Sequence, residues 1–196
     1  MSIAPDARVR ESATRLTAKP SAADAADEFA QSSPQITRTR TLTWQDPVPV
    51  AAEGAAMAGI DYMRALSSGE MPPPPIAVVM RMQPVEVNPG QVVFEGNPGE
   101  EHYNPIGVVH GGYASTLLDS AMGCAVHSTL AAGEAYTSLG LEVKFLRPIT
   151  RDVKTVHAHG DVVHRGRRQA TVEARITDVE GERIYATGTS TCMIFS

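Results

Sequence analysis

The chain has 196 residues, 42% of them hydrophobic and 20% charged, with a formal net charge of -5. That size and apolar content suit one core with an added arm, and the acidic balance lacks the basic footprint of a nucleic-acid binder, so no nucleic-acid partner is expected. Two cysteines, Cys124 and Cys192, are too few for a disulfide framework; no apolar run reaches the roughly 18 residues of a membrane span, and no signal region opens the chain, so a cytoplasmic protein with free thiols and no membrane partner is expected.

Residues 1–53 are rich in Ala, Ser, Thr and Pro, and their few large apolar side chains follow no period. Such a stretch buries too little to offset its ordering entropy and reads as a variable, flexible arm that docks late, around Leu42 and Trp44. Thr37-Arg38-Thr39-Arg40-Thr41 within it reads as a solvated tail or as a short strand on a partner subunit. Between Gly54 and Leu66, Met57, Ile60 and Met63 fit a short amphipathic helix that ends at Ser67-Ser68-Gly69. The run Pro72–Pro75 cannot continue it and forms a stiff connector, so residues 54–75 lead into a main domain over 76–196.

That domain begins with two expected strands, Ala77 to Val87 and Gln91 to Gly96, joined by the turn signal Asn88-Pro89-Gly90. The stretch from Asn104 to Leu130, NPIGVVHGGYASTLLDSAMGCAVHSTL, then reads as a loop entering a long helix. Ala114, Leu117, Leu118, Ala121, Met122, Ala125 and Val126 recur with the spacing of one helical face. Beyond it, Leu139, Leu141, Val143 and Phe145 alternate with Ser138, Glu142 and Lys144 as the two faces of a strand that Pro148 stops. A strand from about Val153 to His164, a corner at Gly166-Arg167-Arg168, a strand with Val172, Ala174 and Ile176 inward, and a last strand over Ile184 to Ile194 complete the pattern. Strands, one long apolar helix, then strands in hairpins imply an α+β fold with an antiparallel sheet wrapped around the helix.

Chemistry concentrates at that helix. Gly111 and Gly112 open it, where unpaired N–H groups and the positive end of the dipole meet an oxyanion, although two glycines equally suit a tight helix entry. Asp119 is the only carboxylate between Gly111 and Ala132 and lies at the edge of the apolar stripe, as either a reacting acid or a structural one bonded to a backbone group. His110 offers an imidazole, a side-chain type that can serve as a base. His157-x-His159 shares one strand face, but no Cys or carboxylate at ligand spacing accompanies it, so no metal is expected.

Asn104, His110-Gly111-Gly112 and Asp119 at these spacings, followed by Phe145-Leu146-Arg147-Pro148 and the corner from Val163 to Arg168, resemble the hotdog-fold acyl-CoA thioesterases, in particular the phenylacetic-acid-degradation branch. The resemblance covers roughly Gly54 to Ile194 and implies a hotdog fold. It implies hydrolysis of an aromatic or medium-chain acyl-CoA to a carboxylic acid and coenzyme A, with no resident cofactor. By the same resemblance the Gly112 N–H is the main oxyanion donor, and Asp119 is the general base or nucleophile, acting across a subunit interface. Asn104 orients the carbonyl or the water, His110 positions the loop, and Ser138 helps to hold the water. Gly111 and Gly166 lie against the carrier, and the guanidinium forks of Arg147, Arg167 and Arg168 are candidates for its phosphates. A homodimer, pairing again into a tetramer, is the implied assembly. One departure is Gly123, one turn after Asp119, where some relatives carry a polar side chain. The alternative function is a noncatalytic acyl-CoA binding or sensing protein of the same fold.

Overall fold

The computed structural model describes residues 36–196, so most of the expected arm lies outside the described residues. The chain divides into two units, Met1–Thr41 and Leu42–Ser196, and every described helix and strand lies in the second. Residues 36–46 are irregular and mostly exposed. Helix α1, Pro47–Ala55, follows at once within the stretch expected to be an arm. Asp46 starts it by accepting a hydrogen bond from the Val48 N–H at 3.0 Å, and Pro47 at the first helical position presets the backbone angle. Only Gly54 of this helix is buried, so it has no apolar stripe by which its sequence could reveal it.

Helix α2, Gly59–Ser68, ends at Gly69 in the left-handed conformation (φ 79°) and buries Met63 and Ala65. A third helix, α3 (Pro75–Met80), corrects the expectation of a strand from Ala77. Pro75 sits at its first position, where a missing N–H costs nothing, and Arg81 closes it with φ 51°. The short apolar run Ile76–Val79 carries too few residues for its period to tell helix from strand.

The strands are β1 (Met82–Asn88), β2 (Gln91–Gly96), β3 (Ala135–Phe145), β4 (Val156–Arg165), β5 (Gln169–Thr177) and β6 (Ile184–Phe195). All pairs are antiparallel, in the order β1-β2-β4-β5-β6-β3. Helix α4, Gly111–His127, lies along the inner face of this sheet, which gives the expected α+β hotdog arrangement. All seven residues of its predicted stripe are buried, with Leu117, Leu118, Ala121, Met122, Ala125 and Val126 at 0% exposure. Each fully buried Leu, Met or Val contributes about 1.5–3 kcal/mol against solvent exposure. The helix rides close to β4: a Cβ at Gly160 would overlap the Ala121 carbonyl. Opposite, Val172, Ala174 and Ile176 of β5 close the core as the alternation requires.

Strand β3 departs from simple alternation. A register shift between Ser138 and Gly140 inserts an extra residue, so Ser138 pairs with Cys192, Leu141 with Ser190, Val143 with Gly188 and Phe145 with Ala186. Directly opposed residues share a face, and Cys192, Ser190 and Ala186 are buried, so Ser138 points inward together with Leu141, Val143 and Phe145. Leu139 falls in the bulge and is 60% exposed. The expected face of Leu139, Leu141, Val143 and Phe145 is corrected in this way, with Ser138 taking the inward place of Leu139.

Candidate active site

The loop before α4 is held by its own backbone. Tyr103 bridges Val109, the Asn104 N–H donates to the Val108 carbonyl at 2.8 Å, and the Gly107 N–H donates to the Asn104 carbonyl at 3.0 Å. The Asn104 side-chain oxygen accepts from the N–H groups of Ile106 (3.1 Å) and Val108 (3.3 Å). That amide oxygen is therefore committed to the loop, and the NH₂ end is the part left to donate to a substrate. His102, a residue the sequence reading passed over, fastens the loop from outside. Its carbonyl accepts from the His110 N–H at 2.8 Å, and its ring bonds the Gly99 N–H at 3.0 Å and the Val79 carbonyl at 3.1 Å.

His110 is the N-cap of α4: its Nδ1 accepts from the Gly112 N–H at 2.8 Å. The neutral ring then carries its proton on Nε2. The Gly112 N–H, expected to be the oxyanion donor, thus already has a partner. Among the described residues the Gly111 N–H has none. Gly111 also lines a groove of about 320 Å³, formed with Ala114, Phe145, Arg147, Pro148 and Tyr185. The Phe145 ring lies over it so closely that a Cβ would stand 3.0 Å from Cζ. A glycine there leaves the helix N-terminus bare to whatever enters the groove.

Asp119 is half-buried on α4, and the Ser138 hydroxyl donates to its Oδ1 at 3.2 Å. The bulge in β3 makes this contact, since it turns Ser138 toward the helix. Eight residues separate Gly111 from Asp119, which along a helix is about 12 Å. That span is too long for both to touch one carbonyl carbon within a single chain.

The phosphate candidates are also apart. Arg147 follows the end of β3 and donates to the Ile184 carbonyl at 2.8 Å, while Gly166, Arg167 and Arg168 form the β4–β5 corner near the start of β3. The eleven residues of β3 put about 35 Å between these two ends. Arg167 and Arg168 are exposed there.

Around Asp119 the remaining groups are neutral. Burial pushes the Cys124 thiol up to about 12, and Asp119 adds to the shift. Burial likewise holds Tyr136 well above the usual phenol range, with Cys124, Cys192 and Asp119 contributing. A thiol so placed is a poor nucleophile. On the outer face of the sheet the two histidines have separate partners, Glu95 at 3.9 Å from His157 and the Thr177 hydroxyl at 3.2 Å from His159.

Residues 106–185 match the thioesterase superfamily. The domain has the hotdog fold. Human acyl-coenzyme A thioesterase 13 is 29% identical to it over 109 residues, 55% of this chain and 75% of the relative. A phenylacetic acid degradation-related protein of Ralstonia eutropha superposes with a TM-score of 0.61 at 27% identity, over 67% of this chain and 98% of that one. A thioesterase family protein of Silicibacter pomeroyi does so with a TM-score of 0.60 at 26% identity, over 68% and 95% of the two chains. Among the described residues of the hotdog chain, no helix is long and apolar enough to cross a membrane.

Proposed function

We propose that this protein is an acyl-CoA thioesterase that releases a carboxylic acid and coenzyme A from a site completed between two copies of the chain. The observation that carries the proposal is the separation within α4 of an unpartnered Gly111 N–H at one end from an Asp119–Ser138 pair about 12 Å along it. Two halves of one catalytic set, spaced beyond mutual reach, suit a two-fold arrangement that brings each to the other's counterpart.

The sheet supports that arrangement. Its β1 edge carries Pro84 and a register shift beside it, features that blunt edge pairing. Its β3 edge is long and apolar, with Leu139, Leu141 and Phe145 exposed. Antiparallel pairing of β3 with β3 of a second copy sets the Gly111 and Phe145 end of one chain against the Ser138 and Asp119 end of the other. The same operation brings Arg147 of one copy toward Arg167 and Arg168 of its partner, a cationic rim for the carrier's phosphates. Further pairing of dimers into a tetramer is compatible with this contact.

In this reading the thioester oxygen meets the Gly111 N–H at the helix N-terminus, and the Asn104 NH₂ orients the carbonyl or the attacking water. Gly112 and His110 shape that entry, since the N–H first expected to donate caps the helix through His110. On the opposite face Asp119 removes the proton from a water that Ser138 helps to hold, or attacks the carbonyl itself. Collapse of the tetrahedral intermediate breaks the C–S bond and expels the coenzyme A thiolate. On the base route the thiolate takes up the proton that Asp119 removed from water. On the nucleophile route a water then hydrolyses the acyl–Asp119 anhydride, releasing the acid, restoring the carboxylate and supplying the thiolate's proton. The Asp119–Ser138 contact favours hydrolysis over a binding or sensing role, because mere binding gains nothing from a carboxylate in an apolar stripe. Asp119→Ala is expected to lower thiol release from a panel of aromatic and medium-chain acyl-CoAs by about 10² to 10⁴. Equal release by variant and wild type would refute the role of Asp119, and tight binding without release by wild type would favour the sensor.

A further inference from the structure

Gly123 lies one turn beyond Asp119 on α4, and the space where its side chain would stand is filled. A Cβ there would overlap the Tyr136 hydroxyl and stand 3.1 Å from Cε2. Tyr136 precedes Ser138 by two residues on β3 and pairs with the buried Ile194, so both project from the same face toward α4. Its ring meets His127 edge-on at 5.8 Å between centroids, and His127 tilts against Tyr62 of α2 at 5.2 Å. Three rings from three elements thus form a wall across the space between α4 and β3, immediately past the Asp119–Ser138 pair. On the other side of that pair no ring crosses from β3 to α4 among the described ring contacts, and Ser138 itself is exposed. Burial holds the Tyr136 phenol well above its usual range, so this wall carries no charge beside Asp119.

We propose that Tyr136, seated in the slot that Gly123 leaves open, ends the acyl pocket and sets the longest acyl group the enzyme accepts. The inference rests on the thioesterase reading. Tyr136 acts on specificity rather than on bond breaking: the far end of the acyl chain meets the phenol ring, and a longer chain has nowhere to go. Removing the ring opens volume next to the reacting carbon, and each methylene that enters it gains about fourfold in kcat/KM. Adding a methyl at Gly123 displaces the ring into the pocket and shortens it.

The test is the ratio of kcat/KM for long against short straight-chain acyl-CoAs, with phenylacetyl-CoA as the aryl probe, in folded full-length protein checked by circular dichroism. Tyr136→Ala is expected to raise the long-to-short ratio at least tenfold, Gly123→Ala to lower it, and Tyr136→Phe to keep the wild-type profile. A purely structural role would depress all substrates together and leave the ratio alone. Should the alanine variant fail to fold, Tyr136→Leu keeps apolar bulk and reads the same ratio. Unchanged ratios in folded Tyr136 and Gly123 variants of an active enzyme would overturn this inference and leave the thioesterase reading standing. A wild type that cleaves no acyl-CoA would overturn both.

Discussion

At the scale of single residues, the site is shaped by which polar groups already have partners. The Gly112 N–H is taken by His110, so the bare donor at the helix start is its neighbour, and a motif of two adjacent glycines cannot reveal which is which. Asn104 has its oxygen committed and its NH₂ end left over, an asymmetry that only the loop's fold assigns. At the other end of the helix, burial lowers the affinity of His127 for a proton. The ring contacts Tyr62 and Tyr136, neither of which is a cation acceptor of carboxylate strength. A histidine whose pKa is depressed in the fold stays neutral there while the unfolded chain protonates below about 6.5. The contribution is present above that pH and is lost as pH falls through the folded value. Wild type is therefore expected to lose thermal stability between pH 7.5 and 5.5 by more than His127→Phe does. An equal loss in the two, followed by the unfolding midpoint, would remove His127 as a source of the acid sensitivity.

At the scale of elements, α4 and β3 do most of the positioning. The helix approaches the sheet at Gly160, where its Ala121 carbonyl leaves no room for a Cβ. Gly160→Ala sets a methyl against the α4 backbone at Ala121 and Met122, so the helix must lift, at a cost of about 1–3 kcal/mol. A urea midpoint unchanged from wild type would show that the helix yields freely and that this contact sets nothing. The bulge in β3 matters as much. Strict alternation would have aimed Ser138 away from the helix, whereas the extra residue at Leu139 puts it 3.2 Å from Asp119 and puts Tyr136 against Gly123. The departure at Gly123 had a signal of its own in the sequence, a missing side chain four residues after the acid, but what fills the gap lies on another element.

At the scale of the whole molecule, the proposed site takes one half from the start of α4 and the end of β3, and the other from Asp119 on α4 and Ser138 near the start of β3. If the halves join across a two-fold axis, mixing Gly111→Pro chains with Asp119→Ala chains rebuilds one complete site in each heterodimer. Pro is tolerated at the first helical position, so the first variant removes the N–H while keeping the helix. Statistical mixing should restore about a quarter of wild-type activity from two inactive parents. Mixtures that form heterodimers yet stay inactive would refute the shared site. The exposed apolar side chains of β3 make the same case in another form, since a lone copy would leave that edge open to solvent.

The helix stripe, the hairpin turn at Pro89-Gly90, the alternation of β5 and the spacing from Asn104 to Asp119 were all legible in the chain itself. Each rests on local period or on turn chemistry, which neighbouring residues determine among themselves. Helix α1 was hidden because it is capped rather than striped, and the start of α3 because four apolar residues carry no period. The partner of Asp119, the occupant of the Gly123 slot and the choice between two glycine N–H groups were decided only by tertiary structure. Each depends on a bulge, a cap or a close approach between elements distant in sequence, and side-chain type alone does not encode where those distant atoms come to rest.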